Sequence, residues 1–124
     1  MSKPETMMID DVKYVREDSV SNIDKPNKDG LRYCVVRTYS AGVHIGYVAG
    51  LGEKAPQTAT LYESRRLHYW TGAASLSQVA MDGVGNDSRV AVEVPEIILT
   101  DIIEVIPCSA KAAEFFKGVK AWKK

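Results

Sequence analysis

A mostly apolar run dense in Val, Tyr and Thr fills residues 31–39, stops at Ser40-Ala41-Gly42, and resumes along 43–48, where apolar positions alternate. This pattern predicts two strands joined by a tight turn. On the second strand Val43, Ile45 and Tyr47 form the more apolar face and are expected to point to the core, opposite His44, Gly46 and Val48. Residues 58–62 and 64–70 predict one bent strand or two short ones. Ser75-Leu76-Ser77-Gln78 then matches a capping box: the serine oxygen accepts an amide proton and the glutamine returns the bond. Leu76, Val79 and Ala80 follow at helical spacing, and Gly83 supplies a stop.

Two β-rich runs, 89–94 and 97–106, flank Pro95, whose missing amide suggests a break between them. Pro107 ends the second run. Ser109 can cap a helix over 110–117 that Gly118 closes, with Ala112, Phe115, Phe116 and Val119 on its apolar face. The predicted class is α+β: an antiparallel, strongly bent β-sheet or small barrel with two short helices, near 75–83 and 109–118. Residues 1–30 are polar and rich in turn formers around Asn27-Lys28-Asp29-Gly30. They predict a flexible N-terminal segment with a candidate edge strand at 9–15. Residues 31–124 then form a single domain, since 124 residues fill one core and not two.

Charge narrows the partners. Sixteen basic residues balance sixteen acidic ones, so no global field draws the chain to nucleic acid, and that partner is disfavoured. No apolar run reaches the roughly 18 residues needed to cross a bilayer, and no signal peptide opens the chain, which gives a cytoplasmic expectation without a membrane partner. Cys34 and Cys108 lack metal-site spacing and read as free thiols, and His44 and His68 are the only histidines. No metal and no cofactor is expected. Asp101 and Glu104, three apart on one strand, point to opposite faces and do not make a carboxylate pair. The serines lack a nucleophile motif, so no catalytic residue is assigned.

The stretch Arg65-Arg66-Leu67-His68-Tyr69-Trp70 carries the most chemistry. On a regular strand Arg66, His68 and Trp70 share a face, combining a phosphate-gripping cation with an indole that stacks on a flat ring. Helix amides after Ser75 would add an anion site. Arg37 and His44, on the hairpin strands, complete the candidate ligand-binding set of Arg37, His44, Arg66, His68, Trp70 and Ser75. A plainer arrangement accounts for the same residues, with Trp70 and Leu67 in the core and both arginines in solvent.

The strings Arg37-Thr38-Tyr39-Ser40-Ala41-Gly42-Val43 and 65–78, continuing through Glu104-Val105-Ile106-Pro107-Cys108, resemble an uncharacterised small accessory-protein family of tailed bacteriophages and prophages. The resemblance spans roughly residues 33–122 and carries a tryptophan at the position of His68. It implies a protein made in the host bacterial cytoplasm. Together with the candidate face, it gives the expectation of a non-enzymatic binder that sequesters a nucleotide-like, cyclic-nucleotide host defence signal. The rivals are a module that inhibits a host protein and a small nucleic-acid binder. Phe115, Phe116 and Trp122 exceed what one short helix hides, which predicts a homo-oligomer.

Overall fold

The computed structural model describes residues 30–124; the segment ending at residue 30, with its candidate edge strand at 9–15, otherwise lies outside them. The hairpin is present as β1 (Arg32–Thr38) and β2 (Val43–Ala49), with Val35 opposite Ile45 and Val36 opposite His44. Residues 58–70 form one bent strand, β3 (Ala59–Tyr69). Its bend is at Glu63, which holds φ 51°, where two pairing registers with β2 meet. Such a bulge bends a strand and sharpens its twist.

Gly46 sits opposite that bulge. A Cβ there would lie 3.0 Å from the Tyr62 carbonyl oxygen and 3.1 Å from the Ser64 Cα, so only glycine lets the two backbones close up.

Two corrections concern residues 89–107. The first run contributes only β4 (Arg89–Val90), and Pro95 lies inside β5 (Val94–Leu99) rather than between strands. Among the described residues β5 pairs with β3 alone, and an edge position tolerates a proline. The second run is split by Asp101, at φ 55°, and resumes as β6 (Ile102–Pro107) against β1.

The short connection at 100–101 sets the shape of the sheet. β5 and β6 occupy its two edges, in the order β5-β3-β2-β1-β6. In a flat sheet they would lie about 19 Å apart, at about 4.8 Å per strand. The three Cα steps from Leu99 to Ile102 reach at most about 11 Å. The sheet must therefore curl strongly, and the chain crosses at the mouth of the curl, with Tyr39 N–H donating to Asp101 O and Ile102 N–H to Gln57 O. No β5–β6 ladder closes it, so the sheet is an open antiparallel one and not a barrel.

Both faces of this sheet are covered. Cys34, Val36, Ala59, Leu61, Leu99 and Ile102 pack inside the curl. On the convex face Tyr33, Val35, Ile45, Tyr47 and Leu67 pack against two helices, α1 (Leu76–Asp82) and α2 (Ala110–Gly118). The predicted caps are made: Ser75 Oγ accepts from Gln78 N–H, and Gln78 Oε1 accepts from Ala74 N–H. Ser109 Oγ accepts from Ala112 N–H and donates to Met81 O, tying α2 to the end of α1. Phe116 is fully buried and Phe115 packs on Gly83, so these two rings are used internally and no longer argue for a second subunit. Among the described residues no helix is long and apolar enough to cross a membrane.

Candidate functional site

β3 delivers Ser64 and Arg66 to the concave face, where β2 delivers His44, the direct partner of Arg66 across the ladder. With Val92, Val94 and Ile97 they line a cleft of about 170 Å³. A cavity of roughly 150 Å³ accepts a benzene-sized molecule, whereas whole small-molecule sites run to about 300–1,000 Å³. The cleft is sized for one ring or one acidic group of a larger ligand.

Its depth is graded. Ser64 and His44 form the floor, 1% and 2% exposed, while Arg66 and Val92 stand open at the rim. The Ser64 hydroxyl makes no hydrogen bond among the described residues. A buried polar group left in that state costs about 1–3 kcal/mol. His44 Nε2–H donates to Ala41 O at 3.0 Å, which leaves Nδ1 as the acceptor of a neutral ring. Burial pushes the His44 pKa down; the Ala41 bond opposes this and the Arg66 charge adds to it. Among the described residues Arg66 makes no side-chain hydrogen bond or ion pair. The cleft thus presents a hydroxyl, an imidazole acceptor, an apolar wall and an unengaged cation.

Of the six residues singled out from the sequence, Arg66 and His44 meet here and four do not. Trp70 does not share the Arg66 face, because β3 ends at Tyr69 and the chain turns through Gly72, at φ 82°. A Cβ on Gly72 would lie 2.9 Å from the Gly85 nitrogen, so this crossing is tight. It swings Trp70 onto the helix-side core, where the indole N–H donates to Ala73 O. Ser75 only caps α1, which packs on α2, β1 and β6; α1 has seven residues, and its Gln78 N–H is already bonded to Ser75 Oγ. Arg37 pairs with Glu104 at 3.5 Å on the opposite edge of the sheet. His68 is exposed and its ring lies 5.5 Å from that of Trp122.

Ser64 and the walls Val92, Val94 and Ile97 were missed, although Gly46 inside a strand was a usable signal of close packing at Ser64. Arg65 was missed as well. Next to an exposed Arg66, it is 4% exposed, and its guanidinium donates to Ala91 O at 2.8 Å, Phe116 O at 2.6 Å and Val119 O at 2.7 Å. It clamps the end of α2 to the loop that carries Val92. Both thiols are free and buried, and desolvation raises Cys34 to about 11 and Cys108 to about 12. They are inert at neutral pH. No cluster of three metal-ligating residues occurs among the described residues.

Fold and cleft define a small α+β domain whose curled antiparallel sheet carries a polar-floored cleft on its concave side. The sequence pattern of a domain of unknown function, DUF6948, matches residues 31–116, well over half of the chain, and the chain belongs to that family. The match assigns neither a phage origin nor an activity. No curated protein and no solved structure matches the chain.

Proposed function

We propose that the protein is a non-enzymatic binding protein that takes a nucleotide-like small molecule into the His44–Ser64–Arg66 cleft. The observation that carries this reading is the Ser64 hydroxyl, buried at the floor of the cleft and without a hydrogen bond among the described residues, below a rim that holds the exposed Arg66. A planar ring with donors and acceptors on its edge satisfies Ser64 and His44 Nδ1, packs on Val92, Val94 and Ile97, and leaves its phosphate at Arg66. The ring enters first and the anion stays at the rim. The wider proposal is a phage accessory protein that sequesters a nucleotide-like defence signal in the host cytoplasm. The likeness of residues 37–43 and 65–78 to phage and prophage proteins supports that setting.

Calorimetric titration with linear mononucleotides, 3′,5′-cyclic mononucleotides and cyclic dinucleotides tests the reading. Arg66→Ala should lose about 1.5–3 kcal/mol of binding, roughly 10- to 150-fold, with little change in melting temperature because the side chain is exposed. Ser64→Ala should weaken the ligand while holding or raising the melting temperature, since it removes a buried group that folding leaves unbonded. Equal affinity across the three proteins, or no binding to any of the nucleotides, contradicts the reading.

A further inference from the structure

The C-terminal tail does not end at α2. Trp122 N–H donates to Val90 O at 2.8 Å, so the tail runs as a strap along the outer side of β4. This places Trp122 beside the end of β3, and Arg89 stacks between two rings there, its guanidinium carbon 5.1 Å from the Trp122 centroid and 5.7 Å from that of Tyr69. His68 closes on the same indole.

Tyr69 is 52% exposed and Trp122 38%, an unusual degree of exposure for rings held in place by a cation. A guanidinium stacked on aromatic faces keeps its N–H edge free for an acceptor. Among the described residues no carboxylate forms an ion pair with Arg89. Lys120, Lys123 and Lys124 flank Trp122 in the strap, so the charge that gathers here is positive although the whole chain is neutral.

We infer that Tyr69, Arg89 and Trp122 form a docking surface for single-stranded nucleic acid. Open rings supply stacking for successive bases, and the pinned arginine and tail lysines meet the phosphates. An extended polyanion is the ligand that engages rings and lysines together. The site uses none of the cleft residues and stands independently of the function proposed for them.

The test is fluorescence anisotropy of labelled oligothymidine of about 12 nucleotides at low salt, with an abasic oligomer and a glutamate-rich peptide of equal length as competitors. Wild type should bind, with affinity falling steeply as salt rises. Tyr69→Ala and Arg89→Ala should each weaken binding by about tenfold or more. Tyr69→Phe, which keeps the ring, should match wild type. Arg37→Ala, which removes a cation from the far edge of the sheet, should change affinity by less than about twofold. Four outcomes would overturn the inference: no binding, an abasic oligomer competing as well as oligothymidine, a glutamate peptide competing as well, or equal losses at Arg37 and Arg89. The tyrosine pair remains informative even where an alanine variant folds poorly.

Discussion

Replacing Arg65 with methionine is expected to lower the free energy of unfolding by about 3–5 kcal/mol, the largest loss from any single change to a polar residue in the described domain. The methionine fills much of the stem volume but leaves the carbonyls of Ala91, Phe116 and Val119 without their shared donor. Two of these carbonyls end α2, where a cation also meets the negative end of the helix dipole. Desolvation lowers the Arg65 pKa, opposed by Tyr33 and Glu93, and among the described residues Arg65 is the one arginine or lysine buried in the core. Urea denaturation followed by far-ultraviolet circular dichroism measures the loss. A change under about 1 kcal/mol would show that the clamp is dispensable. The variant should also bind ligand poorly while still folded, because the Ala91 contact fixes the loop leading to Val92.

Phe116→Ala should cost about as much, roughly 3–5 kcal/mol, by a different route. Its ring is wholly buried between the helices and the convex face and meets Phe115 edge-on at 5.2 Å. Truncation leaves a cavity that a seven-residue and a nine-residue helix have little freedom to fill. Phe115 is only half-buried, so Phe115→Ala should cost clearly less. Thermal melts of the two variants settle the order, and a larger loss at Phe115 would mean that α2 presents its other face to the sheet.

What could be read from the sequence was what is set locally. The hairpin at 31–48, the bend in β3 and both serine caps follow from alternation, turn residues and capping chemistry within a few positions of each other. A strongly bent antiparallel sheet was legible, but the crossing that forces the curl was not, because it depends on Leu99 pairing with β3 and Ile102 with β1, which no short window encodes. The burial of Arg65 beside an exposed Arg66 escaped the sequence for the same reason. Alternation puts neighbours on opposite faces but does not say that both faces are covered, one by helices and one by the curl itself.

The candidate site was half legible for a related reason. His44 and Arg66 stood out as chemistry, but their union depends on strand register, and the walls at Val92, Val94 and Ile97 come from a segment some thirty residues downstream. Trp70 was misplaced because its alternation assumed a strand that the tight Gly72–Gly85 crossing ends one residue earlier.

His44 lies in the cleft and His68 lies against Trp122, so two imidazoles report separately on the two surfaces. Nitrogen-15 NMR of the histidine rings, recorded while the linear and cyclic nucleotides are added, tests the central claim most directly. At least one nucleotide should shift the His44 Nδ1 resonance in a saturable way and leave His68 unmoved, and Arg66→Ala should move the midpoint of that shift to roughly 10- to 150-fold higher concentration. Nucleotides that move His68 alone, or that leave both rings unchanged at millimolar concentration, would contradict the account.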